Sequence, residues 1–439
     1  MSSGRDTSPQ ELGEYASADA TASATIFAKT PSTASIKSLE TFPEGGHQAW
    51  SVALGSFLAL FSTFGVVNSF GVFQEYYQTT LLTKSSSSTI SLIGALQLFL
   101  LYGLSPFIGR IFDAYGIEII LPLGSFLTVF SMMMTSLCQP EQPYQYFLTQ
   151  SLLFGVGNAL VFTPSLAIVS HWFRRRRSFL IGIIASGSSL GGVVYPLIFQ
   201  NLIRKTGFPW AMRIAGFVTL TCLSVSCLTM RTRLPLLGNM SLSSAVDLRG
   251  FKDPKYILIC AAAFLLFYAL FIPYFYIETY ANYHGVDHTL SRNLLAILNA
   301  CGMPARIIPG LLADRVGPLN VLIPATYISG ILVLGMWLPS RGAVPITLFS
   351  ALYGLFSGAF VSLLPAYIAT IVPRENYGAR LGMVYLVIAV ANIAGTPTAG
   401  AFLPVVDQAH FNGLIVFTGV LVFCGGLAAS TILVFCRGR

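Results

Sequence analysis

The chain has 439 residues, of which 54% are hydrophobic and 10% charged, with a formal net charge of +8 at pH 7 and a mean hydropathy of +0.71. A soluble domain carries about 25% charged residues, so a water-soluble globular fold is excluded. The apolar residues fall in blocks of about 20 or more, the length at which a helix rising about 1.5 Å per residue crosses a hydrocarbon core about 30 Å thick.

In chain order, residues 1–46 come first, rich in Ser, Thr and Ala and without apolar periodicity. Such a segment cannot bury enough surface to offset its ordering entropy, and it is read as a disordered cytoplasmic tail. It lacks the basic start and short apolar core of a cleavable signal, so the first membrane helix is expected to direct insertion. Apolar blocks follow at 49–74, 88–109, 117–138, 145–170, 178–202 and 209–230. The polar stretch 231–255 interrupts them, and blocks resume at 256–280, 290–312, 318–338, 343–372, 379–403 and 411–436. The expected fold is an all-α membrane protein of twelve transmembrane helices in two six-helix bundles. The bundles span 47–230 and 256–439, joined by a cytoplasmic linker over 231–255.

Lys and Arg concentrate in alternate loops: Arg110, Arg174 to Arg177, Arg231, Arg233, Arg249, Lys252, Lys255, Arg315, Arg374, Arg380, Arg437 and Arg439 fall on one side. The other side holds far fewer, Lys84, Arg204, Lys205, Arg292 and Arg341. Basic loops stay cytoplasmic, and a bias of roughly three to one places both termini inside. The same bias accounts for the positive charge without nucleic acid, since no basic patch with interleaved aromatics appears. The seven cysteines are odd in number and lie mostly inside apolar blocks, as Cys222, Cys260 and Cys301 do, so they read as packing residues.

Two helix ends repeat one frame. GRIFDAYG at 109–116 and GLLADRVG at 310–317 share glycine, three residues, aspartate, two residues and glycine, each closing the second helix of a half. Here the chain resembles the major facilitator superfamily, from about Trp50 onward, which implies its two-bundle fold and a transport activity. Glycines let a neighbouring helix approach, and the carboxylate either caps a helix N-terminus at the membrane surface or acts as a latch that holds one conformation shut. Asp113 with Arg110 and Asp314 with Arg315 are the candidate gating residues. The first copy departs from the superfamily pattern, with Ala114 where a base is usual.

EGGHQAW at 44–50, with Glu44, Gly45, Gly46 and Trp50, and HWFRRRRSFLIGIIASGSSLGG at 171–192, with Phe173, Arg175 and Arg176, are similar to signatures of the monocarboxylate porter family, fungal branch. VVNSFGVFQEYY at 66–77 and NACGMPARIIPGLLADRVG at 299–317 fit the same branch. The arginine cluster also anchors a cytoplasmic loop by charge. Gly187 and Gly191 have the small-residue spacing of helix packing. His284 and His288 lie in an outside loop and are read as solvated, with no metal site expected.

Arg306 lies eight residues before Asp314, about 12 Å further into the membrane. A guanidinium there costs at least about 2.5 kcal/mol unless it meets a polar cavity or a partner. Asn299, Gly302 and Arg306 share one helix face by their spacing, and a guanidinium fork suits a carboxylate. Arg306 is the candidate substrate-anion residue, as the resemblance also implies; the alternative is an internal ion pair with Glu278 or Glu75. Lactate–proton carriers of that family have a lysine and an aspartate where this chain has Asn68 and Gly302. Neither can take up a proton at physiological pH, which leaves coupling to Glu278, Glu75 or Asp287, and Gly302 leaves room for a larger ligand. Asn68, Gln97, Asn158 and Asn392 extend the candidate cavity or hold helices together. Tyr268, Phe271, Tyr274 and Phe275 on helix seven, with Phe360 and Tyr367 on helix ten, either offer aromatic walls or simply pack or face lipid, and Pro164, Pro196, Pro273, Pro309, Pro365 and Pro397 are expected to break helices and supply bends.

The expected function is a transporter exporting a small organic anion or secondary metabolite by alternating access. Two alternatives stand: proton-coupled uptake of a monocarboxylate or riboflavin-like acid, and a nutrient sensor. No nucleophile elbow, metal cluster or phosphate loop appears, so no enzyme activity, cofactor or metal is expected. The protein is read as a monomer in the lipid bilayer of the plasma membrane, with the vacuolar membrane as alternative. Asn239-Met240-Ser241 has the form of a glycosylation acceptor on the cytoplasmic side, where it stays unmodified.

Overall fold

The computed structural model describes residues 45–234, 248–372, 377–403 and 407–437. Among these residues there is no strand, and twelve helices are long and apolar enough to cross a membrane. They are α1 (His47–Leu81), α2 (Thr89–Tyr115), α3 (Ile117–Thr135), α4 (Pro143–Trp172), α5 (Arg177–Thr206), α6 (Phe208–Thr229), α7 (Pro254–Tyr283), α8 (His288–Val316), α9 (Pro318–Trp337), α10 (Ala343–Ile371), α11 (Tyr377–Ala401) and α12 (Gln408–Val434). Each apolar block becomes one helix. The first runs on to Leu81 because Glu75, Gln78 and Thr79, polar enough to read as loop, face cavities while the backbone stays helical.

The prolines do not act as expected from sequence. Pro164, Pro196, Pro273, Pro309, Pro365 and Pro397 all lie inside continuous helices, since neighbouring turns keep their bonds when one donor is lost. Besides those at Ser69 in α1 and Ile168 in α4, interruptions fall at Leu104, just ahead of Pro106 in α2, and at Met303, just ahead of Pro304 in α8. The last two are corresponding places in the second helix of each half.

Within the first bundle α1 packs on α5 and α6, and within the second α7 packs on α11 and α12; the bundles meet along α2 with α11 and α5 with α8. Helices α3, α6, α9 and α12 turn Phe126, Phe217, Ile331 and Leu427 outward, as helices that are apolar all round do when lipid is the solvent. Between the bundles an aromatic cluster of Phe64, Tyr102, Phe162, Phe267 and Tyr385 fills the centre, with successive ring centroids 5.2 to 6.3 Å apart.

The chain leaving α6 is pinned at once. Glu118 at the start of α3 accepts from the backbone N–H and the hydroxyl of Thr232, both at 2.8 Å, and Trp172 Nε1 donates to the Arg231 carbonyl at 3.2 Å. Glu44, Arg374, Asn239 and most of the expected tail and linker lie outside the described residues.

Candidate functional site

The two glycine-aspartate frames sit at the same end of the molecule, each against the N-terminus of a helix from the other bundle. Asp314 Oδ1 accepts from Ser178 N–H at 3.1 Å and Oδ2 from Phe179 N–H at 3.0 Å, in the first turn of α5. Those amides have no partner within their own helix, and the helix N-terminus carries partial positive charge. The first glycine of the frame permits the approach: a Cβ on Gly310 would lie 2.6 Å from the Ser178 carbonyl oxygen. The last glycine, Gly317, turns the chain with φ +92°, open to glycine without strain.

The first frame repeats this at α11. A Cβ on Gly378 would fall 2.8 Å from Asp113 Oδ2, so the carboxylate lies directly on the first turn of α11; a Cβ on Gly109 would lie 3.1 Å from the Gly378 carbonyl. Gly116 closes the frame with φ +75°. Arg110 is buried with its charge near Asp113, whereas Arg315 is exposed. Between the frames the Arg177 guanidinium lies 4.2 Å from the centroid of the Tyr377 ring, joining the first residues of α5 and α11. This is the end at which the frames are expected to act as a latch, and here the two bundles touch.

The two sequence signatures also meet here. Trp50 packs edge-on against Phe173 with centroids 6.1 Å apart, Gly46 with φ +89° leads into α1, and Arg174, Arg175 and Arg176 are exposed.

Deeper in, Arg306 is 5% exposed. It makes no ion pair with Glu278 or Glu75. Its Nη1 donates across the bundle interface to the Ala185 carbonyl at 2.7 Å and to Ser188 Oγ, both on α5, while Nε has no hydrogen-bond partner among the described residues. Tyr274 and Tyr102 lie close enough for their hydroxyls to interact with the guanidinium. Asn68 Nδ2 donates to the Ser188 carbonyl at 3.3 Å. Asn299 Nδ2 donates to the Leu295 carbonyl at 3.0 Å and leaves Oδ1 buried without a partner among the described residues. Arg306, Asn299 and Asn68 are thus brought together around α5. The space expected at Gly302 is not open, because a Cβ there would lie 3.2 Å from Ser189 Oγ.

The other predicted amides go elsewhere. Asn158 Oδ1 accepts from Thr128 Oγ1 at 3.3 Å between α4 and α3. Asn392 borders a small void between α7 and α11. Gln97 is buried, with Oε1 unpartnered among the described residues.

Toward the opposite end a cavity of about 330 Å³ opens between α1, α5, α7 and α8. Glu75 and Gln78 line it from α1, Gln200 from α5, Tyr274, Phe275 and Glu278 from α7, and Arg292 from α8. A water-sized void bounded by Asn68, Tyr274, Phe275 and Leu295 continues from it toward the centre. Tyr274 therefore separates the cavity from Arg306. Asp287 is occupied as the cap of α8, accepting from Thr289 N–H at 3.0 Å and Leu290 N–H at 3.3 Å. His284 is half-buried: its ring lies 4.5 Å from that of Tyr280, and burial, then the Arg341 charge, holds it below the usual histidine range. No group of three or more His, Cys, Asp or Glu suited to a metal occurs among the described residues.

Ser188, Ser189 and Tyr377 border the candidate site without any signal in the sequence, and Arg177 stands out there only as one of a charge cluster. A serine in an apolar helix usually bonds its own preceding turn, so SGSSLGG carries no sign of a cross-bundle role.

A family model described as Major Facilitator Superfamily matches residues 52–349. The MFS-type transporter 1 of Ophiocordyceps sp. is 39% identical over 386 residues, covering 88% of this chain and 85% of its own length. The aspyridones efflux protein of Emericella nidulans is 38% identical over 392 residues, 89% of this chain and 78% of its own. The agnestins efflux protein of Paecilomyces divaricatus is 39% identical over 376 residues, 86% and 85% respectively. Among solved structures, the human organic anion transporter MFSD10 (TETRAN) matches 88% of this chain and 100% of its own with a TM-score of 0.68, at 16% identity, a likeness of fold alone. The chain belongs to the major facilitator superfamily, as a multi-pass membrane transporter and not an enzyme.

Proposed function

We propose that the protein exports an anionic organic metabolite of moderate hydrophobicity by rocking its two bundles about a site centred on Arg306. One observation carries this reading: a buried guanidinium at the bundle interface, with an Nε donor unused among the described residues, separated by Tyr274 from a cavity open at one end. A charged fork in a low-dielectric junction suits a carboxylate or related oxyanion. The relatives named as efflux proteins for aspyridones and agnestins support export of a secondary metabolite.

The exposed Arg174, Arg175, Arg176 and Arg315 at the latch end support a cytoplasmic assignment for that end, with both termini inside, in the plasma membrane, and the carrier working as a monomer. The conformation is then outward-facing. Substrate enters from the cytoplasm when Asp113 and Asp314 leave the N-termini of α11 and α5, meets Arg306, and departs through the cavity after the latches re-form. The meeting of Trp50 with Phe173 supports placement in the monocarboxylate-porter-like branch, while Asn68 and Gly302 argue against a lactate–proton mechanism. We assign proton coupling to Glu75 and Glu278, acids from opposite bundles lining one cavity.

The test is flux of labelled lactate, pyruvate, benzoate and larger aromatic acids in proteoliposomes, with wild type and Arg306→Ala. Flux of an aromatic acid abolished by the substitution supports the reading. Gradient-driven lactate uptake that survives Arg306→Ala overturns both site and substrate class.

A further inference from the structure

Arg306 does not face an open site in this conformation; it is held by α5. The Ser188 hydroxyl donates to the Ala185 carbonyl at 2.6 Å, and Arg306 Nη1 donates to both of these oxygens. The Ser188 carbonyl meanwhile accepts from Asn68 of α1. One residue of α5 therefore joins two of the polar groups that surround the centre.

Its position along α5 matters. On the latch side of Ser188 the two helices touch: a Cβ on Gly182 would lie 2.2 Å from the Arg306 carbonyl oxygen, and Gly310 lies against Ser178. On the other side α5 and α8 diverge around the cavity, lined there by Leu197, Gln200, Arg292 and Ala296. Ser188 sits near the fork of this V.

We propose that Ser188 is a positioning residue that parks Arg306 on α5 in the latch-closed state, so that a substrate oxyanion and Ser188 compete for one guanidinium. The inference rests on the reading of Arg306 as the anion-recognising group. The Arg306–Ser188 bond has one ionised partner, whereas a carboxylate brings the opposite charge and accepts the guanidinium fork in two parallel bonds, so the anion displaces Ser188 when the bundles part. Closure of the latch end returns the guanidinium to Ser188 and lowers affinity where the anion is to be released.

The tie is measurable without a ligand, by hydrogen exchange of the purified full chain in lipid nanodiscs. The amides of Ser178 and Phe179, capped by Asp314 only when the latch is closed, report its opening. Ser188→Ala is expected to speed exchange in α5 residues 177–190 about tenfold, the factor for one hydrogen bond to a charged group. Ser188→Thr, which keeps the hydroxyl, restores the wild-type rate. Arg306→Ala gives the same increase, and the double variant no more than either single one. If Arg306→Ala does not fold, Arg306→Lys takes its place. Wild-type exchange in Ser188→Ala, or effects that add in the double variant, overturns the tie. Exchange as expected but undiminished anion flux in Arg306→Ala leaves the tie standing and removes the competition, which separates failure of this inference from failure of the anion reading.

Discussion

Asp314, the last acidic residue of α8, caps α5 of the other bundle through Phe179 N–H at 3.0 Å and Ser178 N–H at 3.1 Å. A helix of one bundle thus has its first turn completed by a carboxylate of the other, so parting the bundles uncaps the helix.

Asp314→Ala is expected to cost the latch-closed state about 1 kcal/mol, the usual loss for a helix cap. Asp314→Asn, whose amide oxygen still accepts, loses less. Asp113→Ala acts at the separate α2–α11 contact, so its effect adds to that of Asp314→Ala. Spin labels at the exposed Arg176 and Val316 positions, on a cysteine-free background, report the α5–α8 separation. An unchanged distance distribution in Asp314→Ala rules out the latch.

Two glycines of α5 separate conformational from structural packing. A Cβ on Gly191 would lie 2.1 Å from the Phe61 carbonyl of α1, inside one bundle, whereas one on Gly182 meets α8 of the other. Gly191→Ala is expected to lower thermal stability by an amount equivalent to about 1 to 3 kcal/mol of overpacking. Gly182→Ala leaves the melting temperature near wild type and shifts the label distances toward a parted latch end. Equal loss of stability in both variants counts against bundle separation at Gly182.

Arg306→Lys keeps the charge but not the two-pronged fork. Flux of an aromatic acid should fall by at least about tenfold, the worth of one charge-assisted hydrogen bond. Lysine supporting wild-type flux would mean that Arg306 serves as a point charge only.

Glu278→Gln is expected to remove the dependence of flux on an imposed pH gradient while leaving downhill anion exchange intact, and Glu75→Gln to weaken that dependence. The measurement is the ratio of initial rates with and without the gradient in proteoliposomes. Full gradient dependence in both variants takes the coupling role away from this pair.

Much of the fold is legible from local chemistry. Blocks of apolar residues set helix number and approximate ends because lipid demands internally bonded backbone, and the frames ending at Gly116 and Gly317 mark equivalent turns because only their spacing has to be read. Arg306 stands out because a charge in an apolar helix needs a reason. What these residues touch is another matter. That Asp314 caps α5, that Asp113 lies on Gly378, that Asn158 bonds Thr128 and that Arg306 is held by Ser188 depend on how helices distant in sequence cross. By itself the sequence determined membrane class, helix count and the few polar groups that the bilayer makes costly. Only the tertiary structure decided which of those groups share a junction, because hydropathy is a property of each segment, whereas a cap or a tie belongs to two segments brought within about 3 Å.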